Sequence, residues 1–373
     1  MDATGPIARR FPLIARHRPA CAPLTVRVAG LRSLADDAAR TGDLATASTV
    51  HNQAALLASD LGLPDLARHW CHRHAAAYLR ACPLPAHDAR RALEPLVNLA
   101  RLHLRAGNGD HALDLLTTLN QAVTTRADTT VDGLLVPATT LTATDNDHQE
   151  LRRWLWTVLL ADGTRALTSA GRWHDAHTHL QRHNGIGQRM LDGRQVAVIA
   201  HLVAGEPHHA LTLLARTAPG EPWENAVTSC LTVLARDHAN QPPEPDRTTM
   251  FSRYHQLDPT THPTVFHTRL SLTIIDAAGG VNAHPTARRT AAALIDRTTS
   301  SRDGYAARDV LAHDDCNAML SPDQQQHLTD TLTASGLGCN EIPAVLTSEL
   351  SAALATSEEV LSTVLHSPAT APR

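Results

Sequence analysis

Gly171-Arg172-Trp173-His174-Asp175-Ala176-His177-Thr178-His179-Leu180 is followed 34 residues later by Gly205-Glu206-Pro207-His208-His209-Ala210-Leu211-Thr212-Leu213-Leu214. Each stretch opens on a glycine, places an alanine five residues on and a leucine four residues after that. Gly107 with Ala112 and Leu116 repeats the step, and Gly62 with Ala67 repeats its first half. Gly107 and Gly171 lie 64 residues apart, close to twice the shorter interval. Internal periods of this size mean stacked helical hairpins.

The rest of the composition agrees. Of 373 residues 43% are hydrophobic, enough for a sizeable core, but only 3% are aromatic, so Ala, Leu and Val carry the apolar load. Small residues suit close helix stacking, whereas a sheet protein would favour β-branched and aromatic side chains. All 33 basic residues are arginine. A lysine-free chain has no primary side-chain amine, which excludes Schiff-base, P-loop and kinase-type phosphate lysines and the enzymes that depend on them. The net charge is −4, with both signs interspersed and no basic stripe, so no direct nucleic-acid binding is expected. The six cysteines form no C-x-x-C pair and read as buried thiols. Arg9-Arg10 followed by Phe11-Pro12-Leu13-Ile14-Ala15 is too short and too charged for an export signal, and no stretch has the length of a membrane span. The expected location is cytoplasmic, with no membrane association.

Breakers divide the chain. Residues 1–22 lack periodicity and are expected to form a flexible arm. Helical segments are predicted near 24–41, 44–60, 64–82, 86–106 and 109–125, separated by Gly42-Asp43, Gly62-Leu63-Pro64, Pro83-Leu84-Pro85 and Gly107-Asn108-Gly109. Short connections imply antiparallel neighbours. Residues 126–150 read as an insertion loop. Periodicity resumes at Leu151 in a segment holding Trp154, Trp156 and Leu159, expected to be the most buried helix. Central hairpins are predicted over 151–280 and a further helical set over 281–366, the last member near 341–353, with a disordered tail at 367–373.

Aligned residue by residue, the Gly-to-Ala hairpins resemble tetratricopeptide repeats, in which a small residue closes helix A and an alanine sits where helix B packs against it. Leu116, Leu180 and Leu214 match the large apolar site of helix B, and Trp173 the aromatic site after the turn. The resemblance covers about half of the chain. Spacing is uneven, the closing proline is mostly missing, Gly42 with Ala47 conflicts with the frame of Gly62, and the C-terminal third has no copy. The fold class expected is therefore all-α, an irregular α-solenoid of stacked antiparallel hairpins. It resembles the repeat regions of bacterial regulators, without room for a helix-turn-helix domain before the first helix.

In such an array helix A faces the concave surface. Counting back from the glycines places Asn52, Gln53, Glu94, Val97, Asn98, Arg101, Asp162, Arg165, Asp192 and Gln195 there. Asn and Arg can fork onto a peptide backbone or a carboxylate. Asp162 sits in an apolar helix and needs a charged partner, for which Arg165 and Arg152 are the nearest in sequence.

The 24 histidines are the other unusual count. Asp65, His69 and His72 share a helix face at i, i+4 and i+7, beside Cys71 and His74; His174 pairs with His177, and His179 with His183. Such spacings can seat zinc. With no H-E-x-x-H or paired-cysteine motif they remain weak candidates, and neither a metal nor a cofactor is expected. Buried neutral histidines would make the fold acid-sensitive, with the melting temperature expected to fall between about pH 7.5 and 5.5. The leading expectation is a non-catalytic adaptor or regulatory scaffold that binds a protein segment or peptide on its concave face, with self-association open to it. The alternative is an enzyme or small-molecule binder whose pocket is built from His and Asp residues or from the 126–150 insertion.

Overall fold

A computed structural model describes residues 1–16 and 19–366. Helices dominate, and the named strands among the described residues are one antiparallel pair, Thr129–Val131 with Leu134–Val136, in which Thr130 faces Leu135. The chain is all-α, as expected. It divides into two compact units, each assembled from two separate stretches. Unit 1 comprises Met1–Pro23 and Leu167–Ser335, and unit 2 comprises Leu24–Ala166 and Gly336–Arg373.

Unit 2 begins with the helices Leu24–Thr41, Leu44–Asp60, Pro64–Leu79, Ala86–Arg105 and Gly109–Thr125, close to the segments set by the breakers. The turn after Asp60 shows why the glycine is needed. Gly62 adopts φ +84°, its N–H donates to the Ser59 carbonyl at 3.2 Å, and the Leu63 N–H donates to the Ala58 carbonyl at 2.9 Å. This pair of bonds satisfies carbonyls that a helix end leaves open, and it requires a left-handed residue that favours glycine. Gly107 makes the same pair to Leu104 and His103, and in unit 1 Gly171 and Gly205 repeat it. The alanine five residues on (Ala67, Ala112, Ala176, Ala210) has 0% exposure in every copy, because the next helix enters at close range there. Gly42 ends the preceding helix through a single bond to the Ala38 carbonyl. Gly42 and Gly62 thus close successive helices, which is why they conflict when both are read as repeat starts.

These glycines are not equivalent. A Cβ on Gly107 would meet nothing, whereas one on Gly62 would fall on the side-chain oxygen of Asn340. Gly107→Ala should lose about 1 kcal/mol from left-handed strain alone, and Gly62→Ala clearly more. Urea midpoints of the two variants provide the check, and equal losses would contradict the close approach.

Residues 126–150 are structured: they contain the strand pair and the first turns of the helix Asp145–Val158. That helix is capped by Thr144 and Asp147, which bond reciprocally. It is not the most buried helix. Leu151, Leu155 and Val158 face the core, but Trp156 is 43% exposed and Trp154 half-buried, so the tryptophans line a surface instead of filling the interior. The final helix, Ala344–Leu365, runs about a dozen residues further than predicted and packs on Leu24–Thr41, Leu44–Asp60 and Pro64–Leu79. It buries Leu350, Ala353, Leu354, Val360 and Leu361 in the same core as Val28, Leu57 and Trp70. Asp60, whose side chain is 3% exposed, receives Arg27 at 2.7 Å and Arg105 at 2.9 Å and so ties three helices together.

In unit 1 residues 1–16, expected as an arm, are docked. Phe11 and Leu13 are buried, the helix Pro6–Arg10 carries Arg10 to Asp276 at 2.5 Å, and the Trp173 indole N–H donates to the Ala3 carbonyl at 2.8 Å. Short apolar stretches need no periodicity to fill a gap between helices. The most enclosed helix here is Asp192–Val203, in which nine of twelve residues are buried. Helices Trp173–Arg182, Pro207–Ala215, Pro222–His238, Glu244–His255, Thr264–Ala277, Pro285–Ser300, Gly304–Leu311 and Pro322–Ser335 complete the expected set, with a short turn of helix at Asp314–Asn317. The tail 367–373 lies outside the described residues. Among those described, no helix is long and apolar enough to cross a membrane. All six cysteines are free, four of them buried, while Cys339 is exposed.

Candidate functional site

Three helices of unit 2 form a surface groove of about 430 Å³. Leu44–Asp60 contributes Ser48, Thr49 and Asn52; Ala86–Arg105 contributes His87, Arg90, Arg91 and Glu94; Asp145–Val158 contributes Glu150, Leu151 and Trp154. The contributing residues follow helical spacing (48, 49, 52; 87, 90, 91, 94; 150, 151, 154), so each helix presents one stripe. Arg90 lies over the Trp154 ring at 5.4 Å, a cation–aromatic contact, and its Nε donates to Glu94 at 3.1 Å. Arg91 is held by Asp88 at 2.7 Å. On the groove floor Ser48 shares a 2.6 Å hydrogen bond with the buried Tyr78 hydroxyl. Burial pushes that phenol up to about 12, so it stays a neutral hydrogen-bonding group.

From Glu94 a polar chain leaves the groove along the same helices. Asn52 donates to Glu94 at 3.3 Å, Asn98 donates to the Asn52 carbonyl oxygen at 3.0 Å, and Arg101 donates to Asn98 at 3.0 Å. Arg101 then meets Asp162 at 2.8 Å. Five of the ten residues expected on the concave face, Asn52, Glu94, Asn98, Arg101 and Asp162, are therefore brought together in one connected network. Asp162 is buried in a single wide turn, Leu159–Gly163, whose i→i+5 pattern interrupts the surrounding helix. Its partner is Arg101, 61 residues away, and not Arg165 or Arg152. Gln53 is half-buried one position from Asn52, and Arg165 is exposed on the short helix Thr164–Ser169.

Gln195 departs from the expectation. It lies in unit 1, has 0% exposure, accepts from the Leu13 N–H at 2.7 Å and donates to the Leu13 and Met190 carbonyls. An amide spent on anchoring the N-terminal segment has nothing left for a ligand. The weak metal set Asp65, His69 and His72 is likewise not gathered. His72 Nε2 is 2.7 Å from Asp132 at the tip of the strand pair, and Arg68 forks onto the same carboxylate at 2.5 and 2.7 Å. Burial raises the Asp132 carboxyl, but the hydrogen bonds from Arg68 and His72 outweigh it and hold the group below its usual range. This cluster pins the strand pair to the helix Pro64–Leu79. The His179 and His183 rings lie at 53° to one another, with centroids 4.7 Å apart.

Comparison of the chain with protein-family models, with curated proteins and with solved structures returned no match.

Proposed function

We propose that the chain is a non-catalytic helical-repeat scaffold, of the irregular tetratricopeptide-like solenoid type, that holds an extended protein segment in the groove of unit 2. The observation that carries this reading is the groove itself, with Arg90 stacked on Trp154 at one wall and the Asn52–Asn98–Arg101 chain running on from it. Its chemistry suits a peptide. The asparagine amides offer both a donor and an acceptor to a backbone, the arginines offer paired donors to an acidic side chain, and the Trp154 face takes an apolar or cationic one. Arginine and tryptophan are also the side chains that most often carry binding energy at interfaces. The cellular role would be that of an adaptor or regulatory partner in the cytoplasm.

Peptides selected from a random display library on the immobilised full chain test the idea. A selected peptide should bind in solution by fluorescence anisotropy, and Trp154→Ala combined with Arg90→Ala should weaken it by at least about tenfold, the loss of one good anchor. Failure to select any peptide above background, or equal affinity for the double variant, would sink the proposal.

A further inference from the structure

We propose that His201, Glu206 and His209 of unit 1 form a binding site for a divalent first-row transition cation, zinc before others. The proposal stands apart from the groove reading and rests on separate residues. One ligand atom from each of the three comes within 4.8 Å of the others, and they are the described residues that gather in this way. Glu206 Oε2 lies 2.8 Å from His201 Nδ1 and 3.4 Å from His209 Nδ1. Ligands about 2.0–2.1 Å from a tetrahedral ion stand about 3.3 Å apart, so small side-chain rotations admit the ion.

The backbone fixes this arrangement. His201 is in the last turn of Asp192–Val203, and its carbonyl accepts the Glu206 N–H at 2.8 Å across the Gly205 turn, where φ is +75°. The Glu206 carbonyl in turn accepts from the His209 and Ala210 N–H groups, which starts the helix Pro207–Ala215. All three ligands therefore sit on one closed turn between two helices.

Two histidines and a glutamate are a three-ligand zinc set that leaves a fourth position open. That position has space: a cavity of about 270 Å³ lies over the three residues, walled by Thr212, Leu213 and Arg216. Arg216 opposes the charge of the cation and offers a counter-charge to an anion at the open position. His177, edge-on to His201 with ring centroids 5.3 Å apart, is a further imidazole at the rim.

The molecule supplies its own control. At Gly107 the same turn carries His103 and His111 at the same offsets, with ring centroids 5.4 Å apart, against 5.5 Å for His201 and His209. There Asn108 stands where Glu206 does, and an amide is a far poorer ligand than a carboxylate.

Metal-free full-length protein titrated with zinc ion against a chromophoric chelator should take up one tight equivalent. His209→Ala removes a ligand whose side chain is 71% exposed, so the fold is not at risk, and Glu206→Gln keeps the shape of the turn. Each should weaken that equivalent by at least about tenfold, while His103→Ala with His111→Ala leaves it unchanged. Cobalt(II) loaded in place of zinc should give visible absorption that the His209→Ala variant loses. No tight equivalent in the wild type, equal binding by His209→Ala and Glu206→Gln, or loss of the equivalent in the His103/His111 variant would each overturn the assignment.

Discussion

A chain ending at Ser335 is expected to lose the fold of unit 2 while unit 1 keeps its own. Five buried residues of the helix Ala344–Leu365 complete the core against Leu24–Thr41, Leu44–Asp60 and Pro64–Leu79. Burial of side chains of this kind contributes on the order of 10 kcal/mol in total, comparable with the whole net stability of a domain. The segment before the helix also matters. The Gly338 N–H donates to the Asp60 carbonyl at 2.9 Å and the Asn340 N–H to the Leu61 carbonyl at 2.7 Å, satisfying groups at the end of the helix that carries the Asp60 ion pairs. Limited proteolysis followed by mass spectrometry reads the outcome. Cleavage should spread through residues 24–166, with residues 167–335 still protected. A truncated chain with undiminished helical circular dichroism and protection of 24–166 would contradict the packing described.

Acid should destabilise both units. In unit 2 the His51 and His74 rings stack 5.0 Å apart in the core, and among the described residues none of their four nitrogens has a hydrogen-bond partner. Burial pulls His51 down to about 4, Glu358 opposing and Arg73 reinforcing it, and burial together with the neighbouring His51 holds His74 well below its ordinary value. In unit 1 burial, Arg297 and His262 bring His267 to about 4, against the opposing pull of Asp258. These are bases with depressed native values. Above the unfolded value of about 6.5 both states are neutral and the stability is complete. Below it the unfolded chain takes up protons that the native chain refuses, so stability falls until the pH reaches the native value. The window therefore runs from about 6.5 down to about 4, lower than the histidine count alone suggested. Each such histidine loses on the order of 2 kcal/mol by pH 5. Thermal midpoints between pH 7 and pH 5 should drop by several degrees, and His51→Leu with His74→Leu should flatten the dependence of unit 2. A midpoint that does not move across this range would refute the argument.

Local structure was written in the sequence because each signal is local. Gly42, Gly62, Gly107, Gly171 and Gly205 all end helices, and the alanine after each marks close entry of the next one, so helix limits could be read to within a few residues. Packing partners left no such mark. Nothing periodic announces that Ala344–Leu365 belongs with Leu24–Thr41, or that Phe11 and Leu13 fill a gap beside Gln195. The helix Asp145–Val158 misled because three apolar residues in a row, Val158-Leu159-Leu160, follow two tryptophans that line a surface. The polar network of unit 2 was legible because Asn52, Asn98 and Arg101 stand ten, nine and six residues before their glycines, offsets that fall on one helix face. The histidine–glutamate set was missed for the opposite reason: its ligands lie on both sides of a turn, where spacing along one helix cannot find them. Histidines four residues before and four after a helix-closing glycine were the available signal, and they occur at both Gly107 and Gly205.

The interleaving of the two units has a consequence for the making of the protein. On a ribosome, the helices of unit 2 up to Ala166 emerge long before Ala344. At usual elongation rates the roughly 180 intervening residues occupy on the order of 10–40 s. During that time the apolar faces of Leu24, Val28 and Leu31 lack their final cover, while the chain that separates them from it is itself folding into unit 1. Such a nascent chain is a client for holding chaperones, and its yield should depend on translation speed more than that of a protein whose units follow one another in sequence.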